Sequence, residues 1–285
     1  MNVLLIGADG QLGSDLRTAL VGDSVVPLYY PAFDVTCPAD VRAALTGTRP
    51  DVVINTAAFH RVDECEDRVE DAFRVNAFAV RDLALGCREV RAALVHFSTD
   101  YVFDGQKKEP YVEEDAPFPL NVYAASKLAG EYFLRSLWER HFLVRTSGLF
   151  GLAGPKDKGR NFIDIMLDLA AQGRAVRVVD DQRVTPTSTE ELAARVRSLI
   201  RTPHYGLYHM TNEGSCTWYE LARAVFDLTR TRADLKPVDT ATFGAKARRP
   251  AYSVLENTHA REVGLEEFSP WRIAVENYLR KKGRV

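Results

Sequence analysis

Read as apolar and polar positions, the first half of the chain alternates between two rhythms. Short β-rich runs at Val3–Ile6, Ser24–Leu28, Val52–Asn55, Leu94–Phe97 and Phe142–Arg145 are strand candidates. Between them, Gln11–Leu20 and Arg68–Glu89 repeat apolar residues at helical spacing. Val3-Leu4-Leu5-Ile6 and Val52-Val53-Ile54 are apolar at every position, as strands buried on both faces must be. Strands and helices in alternation predict βαβ units and a parallel sheet, so the fold class is α/β.

After Arg145 the pattern loosens. Residues 148–159 are rich in Gly, Pro and Lys and read as a loop, the natural hinge into a second region. Thr189–Ile200 is a predicted helix with Ser188 or Thr189 as its cap, Gly206–Met210 a strand, and Thr217–Leu228 a further helix. The expected division is a nucleotide-binding unit over 1–147, completed by the helix at 188–201. A smaller substrate-binding region then takes 148–187 and 202–285.

Length and composition narrow the classes. A chain of 285 residues can bury a sizeable core, and an apolar fraction of 46% argues against wholesale disorder. A net charge of -2 offers no general attraction to nucleic acid or to an anionic membrane, so neither is an expected partner. The basic residues Arg280, Lys281, Lys282 and Arg284 read as a solvated tail. No segment approaches the roughly 20 apolar residues of a membrane span, and the first strand is too short for a signal peptide. Cys37, Cys65, Cys87 and Cys216 are scattered, without the pairing of a zinc ribbon or a disulfide framework. No metal is expected, the cytoplasm is the expected compartment, and a homodimer is compatible with the sequence.

The first chemistry lies at Gly7-Ala8-Asp9-Gly10-Gln11-Leu12-Gly13, directly after one strand and at the start of a helix. A turn without Cβ, a backbone a pyrophosphate can approach and a helix packed close to its strand each need a glycine. Free N–H groups and the positive helix end then face the diphosphate. Gly7, Asp9, Gly10, Gln11, Leu12 and Gly13 are therefore candidate cofactor contacts in a Rossmann-type, doubly wound sheet. The second strand runs on to Tyr29-Tyr30, where such folds place an acid for a ribose hydroxyl or an Arg for a 2′-phosphate. Neither is present, so NADH and NADPH both stay open.

The second lies at Tyr123-Ala124-Ala125-Ser126-Lys127. On a helix the first and fifth residues share a face, so a phenol and an ammonium can serve one site. A neighbouring cation draws a phenol toward its working range. Upstream, Ser98-Thr99-Asp100-Tyr101 follows a predicted strand, where a hydroxyl can stabilise charge developing on a carbonyl oxygen. The alternative is that Ser98 and Thr99 cap a turn. Cradle, hydroxyl and Tyr/Lys pair in this order are a constellation, not three coincidences.

With these residues in place, the sequence resembles the extended short-chain dehydrogenases, and within them the dTDP-4-dehydrorhamnose reductase family, over nearly the whole chain. The matching stretches include Asn55-Thr56-Ala57-Ala58, Val62-Asp63, Asn76, Ser98–Phe103, Pro119–Tyr123 with Lys127, Arg145-Thr146-Ser147, Asn161-Phe162, Trp218 and Arg249-Pro250. The resemblance implies reduction of the 4-keto group of a nucleotide-linked deoxysugar by NADPH or NADH, with dTDP-4-dehydro-L-rhamnose as the expected substrate. It implies Thr99, Tyr123 and Lys127 as the catalytic set, with Lys127 also a ribose ligand. It adds Asp34, Val35, Ala57, Ala58 and Asn76 to the cofactor side, although Asp34 also reads as a residue ahead of the helix near Pro38. The substrate side takes Val62, Asp100, Tyr101, Asn161 and Arg249; Gly148 and His60, which depart from the family, join it as candidates, His60 either bonding a sugar hydroxyl or serving only the fold.

Two alternatives follow from the same kinship: a dinucleotide-binding regulatory subunit like that of methionine adenosyltransferase, and a nucleotide-sugar epimerase or dehydratase. Related dehydratases carry Thr-Asp-Glu where this chain has Thr99-Asp100-Tyr101, and losing that carboxylate favours reduction. Two positions depart from the family. Gly148 stands where the rhamnose enzymes usually have Trp, which implies a wider pocket, and Phe59-His60-Arg61 replaces smaller residues.

Overall fold

The computed structural model describes residues 1–154 and 159–285 of the chain; residues 155–158, inside the expected hinge loop, lie outside the described residues. Six strands form one sheet: β1 (Asn2–Ile6), β2 (Ser24–Leu28), β3 (Val52–Asn55), β4 (Ala93–Thr99), β5 (His141–Thr146) and β6 (Gly206–His209). All are parallel, in the order 2-1-3-4-5-6. The chain steps outward from β1 to β2 and then returns across β1 to β3. That reversal opens a crevice at the carboxyl end of β1, where such sheets bind ligands.

Alternation along the strands decides which helix packs where. Val3 and Leu5 of β1 face a cluster with Leu12, Leu16, Leu192 and Val196, which belong to α1 (Gln11–Ala19) and to the helix Thr189–Leu199. Leu4 and Ile6 face the opposite cluster with Val41, Leu45, Val80, Leu83 and Leu134. These come from α2 (Pro38–Thr48), α3 (Ala79–Val90) and α4 (Val122–Leu137). The sheet is thus wound on both faces, as the apolar runs require.

Two expectations change. The helix expected over 68–89 is interrupted by a π turn at Arg74–Phe78, which carries Asn76. Residues 206–209, placed in the smaller region on sequence, pair with β5 as the sixth strand. The helix before them, Thr189–Leu199, packs under the same sheet as α1, so its crossover delivers the chain back to the main sheet.

The second region has its own core around Ile163, Leu221, Val225, Val275 and Leu279. It is built from α5 (Phe162–Ala171), α7 (Trp218–Thr229) and α8 (Trp271–Lys281), if Thr189–Leu199 is counted as α6. Of the expected basic tail, Arg280 and Lys281 end α8, and Lys281 pairs with Glu190 and Lys282 with Asp164, at 2.5 and 2.7 Å. Among the described residues no helix is long and apolar enough to cross a membrane.

Candidate active site

At the end of β1 the main chain turns with Gly7 at φ +75°, and a Cβ there would lie 2.5 Å from Thr56 Oγ1. A Cβ at Gly13 would lie 2.2 Å from Gly7 O, so α1 can rest on the turn only because residue 13 has no side chain. Gly10 differs. Its φ is an ordinary −74°, and only Gly7 O, at 3.2 Å, lies near the missing Cβ. Gly10 therefore keeps an approach open instead of allowing a turn. No side chain caps α1, so its first N–H groups lack a helical acceptor. Gln11 Oε1 is buried with no partner. An open glycine, an uncapped helix start and an orphaned amide suit a dinucleotide diphosphate. Leu12 sends its side chain into the core, which leaves only its main chain for that task, and Asp9 sits half-buried in the turn.

The remaining cofactor-side expectations divide. Ala57 is held by its N–H on Asn55 Oδ1 at 3.1 Å, directly past β3 and beside the cradle, with Ala58 next in the chain. Asp34 Oδ1 accepts both the N–H and the hydroxyl of Thr36 at 2.8 Å, the local turn that the sequence left as its alternative reading. Val35 is a core residue under α2 and α3. Asn76 has no free amide for a cofactor. Its Oδ1 accepts from Phe59 N, while its Nδ2 donates to Phe59 O and Ser126 Oγ, all at 2.9–3.0 Å. It shapes the loop after β3 from the π turn.

Thr99 ends β4 and Tyr123 opens α4, and both line one cavity of about 290 Å³. Adjacent residues of β4 point to opposite sides. Ser98 donates to Glu131 beneath α4, whereas Thr99 faces the cavity and donates to Asp100 Oδ1 at 3.1 Å. Thr99 also accepts from Tyr101 N at 3.2 Å, so it caps a turn and faces the site at once.

Glu131, one turn beyond Lys127, takes two bonds from Arg145 Nε and one at 2.7 Å from Nη2. This buried fork locks α4 to β4 and β5 and sets where Tyr123 and Lys127 stand. Burial pushes the Tyr123 phenol up, with the Thr99 hydroxyl opposing, and burial pulls Lys127 down to about 8, with Glu131 opposing. The expected lowering of the phenol is therefore not what dominates; burial keeps Tyr123 protonated, the form a proton donor needs.

His60, Val62, Asp100, Tyr101 and Gly148 line the same cavity. Asp100 is buried and accepts from Ser253, Ser147 and Thr99 at 2.5, 2.8 and 3.1 Å; burial still raises it to about 6. Tyr101 meets Tyr123 edge to face, with ring centroids 6.2 Å apart.

Two substrate-side expectations fall outside the cavity wall. Asn161 caps α5 and donates to Gly151 O and Tyr278 Oη, so its amide is structural. Arg249 bonds Asp63 at 2.9 Å and holds Tyr101, acting from behind the wall. At Gly148, where a wider pocket is expected, the backbone constrains any side chain. The φ there is +56°, and a Cβ would lie 3.0 Å from Thr185 O, so no side chain enters without strain.

The sequence reading gave no cavity role to Phe150, Phe162, Trp218 and Leu221, which form the apolar side of the wall. Phe162 and Trp218 pack at 4.9 Å between centroids. They look like core residues in the sequence because each also packs in the second region's core. Outside the cavity lining, ligand-type atoms of Glu113, Glu114 and His259 lie within 4.8 Å of one another beside β6, a grouping their separation in the chain conceals.

The chain matches the family model described as the RmlD substrate binding domain over residues 1–283. It is 40% identical to a dTDP-4-dehydrorhamnose reductase of Streptomyces griseus, covering 95% of this chain and 91% of that one. It is equally identical to a probable dTDP-4,6-dihydroxy-2-methyloxan-3-one 4-ketoreductase of Streptomyces antibioticus, over 96% of this chain and 93% of the relative. Among solved structures it is similar to the dTDP-4-dehydrorhamnose reductase of Bacillus anthracis in complex with NADP, with a TM-score of 0.94, 36% identity and 98% of both chains covered.

Proposed function

We propose that this chain, which belongs to the RmlD substrate binding domain family, is an NAD(P)H-dependent oxidoreductase that reduces the 4-keto group of a dTDP-linked deoxysugar. The observation that carries this reading is one cavity lined by both Thr99 and Tyr123, at the same sheet edge as the glycine turn. The substrate we favour is dTDP-4-dehydro-L-rhamnose, reduced to dTDP-L-rhamnose; an S. griseus relative bears that enzyme's name.

Gly7, Gly10, Gln11 and Gly13 would hold the diphosphate, and Ala57 and Ala58 would line the cofactor. When bound, the dinucleotide supplies the hydride. Thr99 donates a hydrogen bond to the ketone oxygen as negative charge grows there, which requires its hydroxyl to turn from Asp100. Tyr123 gives that oxygen its phenolic proton, and Lys127 stabilises the phenolate left behind. Tyr101 stands where a dehydratase would need a carboxylate, so water is not eliminated. Neither an acid nor an arginine ends β2 at Tyr29-Tyr30, and with no carboxylate to repel a 2′-phosphate we favour NADPH. Four free thiols suit a reducing compartment such as the cytoplasm.

The test follows dihydronicotinamide absorbance with purified protein, NADPH or NADH, and a panel of dTDP-4-keto sugars. Oxidation dependent on the sugar, with dTDP-L-rhamnose as product, is expected. Dinucleotide binding without turnover on any sugar would turn the reading toward a regulatory subunit.

A further inference from the structure

Behind the phenol and the ammonium lies a polar string that the reaction above does not use. His96, in the middle of β4, is fully buried. Its Nε2 lies 3.2 Å from Lys127 Nζ and its Nδ1 lies 3.3 Å from Asn55 Nδ2. Asn55 cannot simply turn its amide over, because its Oδ1 accepts the Ala57 N–H at 3.1 Å. Two nitrogens that ordinarily donate therefore converge on one imidazole, and a neutral imidazole has a single acceptor.

Two arrangements distinguish the protonation states of the string. With Lys127 as ammonium, Nε2 accepts from it and the ring hydrogen on Nδ1 is driven against the Asn55 nitrogen. With Lys127 as amine, Nε2–H donates to the lysine lone pair and Nδ1 accepts from Asn55, so every contact is satisfied. The two states differ by one proton.

We propose that His96 is a positioning residue for the reduction: it fixes Lys127 on the closed side of the cleft and couples the lysine's charge to its own tautomer. The lysine proton is thereby held weakly and can leave within the working range. This rests on the reductase reading of Lys127. Among the described residues, the titratable groups set against Lys127 are Glu131, one turn away on α4, and His96 on β4, with Tyr123 one turn back on the same helix. Arg145 on β5 already binds Glu131, so much of that carboxylate's charge is spent elsewhere. Burial holds His96 well below the usual imidazole range, with the Lys127 charge adding to it, so the ring itself stays neutral.

Nitrogen-15 NMR of the labelled full chain reads the ring directly. As pH rises through the Lys127 titration, His96 is expected to pass from the Nδ1–H to the Nε2–H tautomer without becoming imidazolium. One tautomer across the whole range, or a ring that protonates instead, overturns the proposal. This outcome is independent of which sugar, if any, is reduced. His96→Gln supplies a carbonyl that accepts from the ammonium without a competing ring hydrogen. The basic limb of its kcat profile is expected to move up by about one pH unit. A limb unmoved in a variant that melts like the parent would also overturn it.

Discussion

The dinucleotide cradle and the sugar-side cavity lie at the same edge of the same sheet, yet they are built by opposite means. The cradle is main chain: three glycines within seven residues, each needed for a different close approach, and an uncapped helix start. The cavity is side chain: Asp100, Phe150, Phe162 and Trp218 reach it from segments spread over more than a hundred residues of chain. A main-chain site is encoded locally, because the lack of a Cβ at a fixed spacing is itself the feature. A convergent side-chain site has no local code, and whether a Phe faces ligand or core depends on packing that only the fold decides. The contrast predicts that changes in the cradle act on cofactor alone, changes in the cavity act on sugar alone, and changes in what joins them act on both.

The largest effect belongs to what joins them. Arg145→Leu leaves Glu131 buried with its charge uncompensated, which should cost about 3–5 kcal/mol of stability. Chemical denaturation would measure it, and a loss near zero would mean that the fork does not hold α4 to the sheet. Next comes chemistry alone. Tyr123→Phe keeps the buried ring and removes the proton donor, so turnover should fall by roughly 10² or more with dinucleotide affinity retained. Single-turnover kinetics beside a binding titration separate the two; near-normal turnover would remove Tyr123 from the role.

These two variants also mark how far the sequence could be read. The strands, α1 and the order of cradle, hydroxyl and Tyr/Lys pair were legible because each is a short-range pattern. The Glu131–Arg145 fork was not, since a glutamate on a helix and an arginine in a strand gain meaning only when the sheet brings them together. Asn76 and Asn161 are ambiguous in the sequence for a related reason. Both occur in family-matching stretches, but their amides are spent on Phe59 and Ser126, and on Gly151 and Tyr278. A match signals that a residue is needed without saying whether a ligand or the fold needs it. Residues 206–209 were assigned to the wrong unit because a four-residue strand carries no mark of the sheet it will join.

A smaller effect sharpens the cradle side. Gly10→Val places a branched side chain in the approach that Gly10 leaves open, at a backbone conformation any residue adopts. Folding should survive, and dinucleotide affinity should fall at least about tenfold, ~1.4 kcal/mol. Equal affinity in the folded variant would put the diphosphate elsewhere.

The smallest effect sits on the cavity side, at Gly148. Its left-handed φ and the nearby Thr185 carbonyl mean that any side chain carries strain before it touches a ligand. Gly148→Ala should therefore cost about 1 kcal/mol of stability and leave dinucleotide affinity unchanged. Gly148→Trp carries the same backbone strain and adds an aromatic face at a residue that lines the cavity. The informative quantity is then the ratio of Trp to Ala, not of Trp to the parent, because the strain common to both variants cancels. If the cavity holds the sugar, kcat/KM for two dTDP-4-keto sugars should shift unequally between Ala and Trp, since discrimination resides in that ratio. An unchanged ratio, with both proteins folded, would place the sugar away from Gly148 and break the division of labour between the two halves of the cleft.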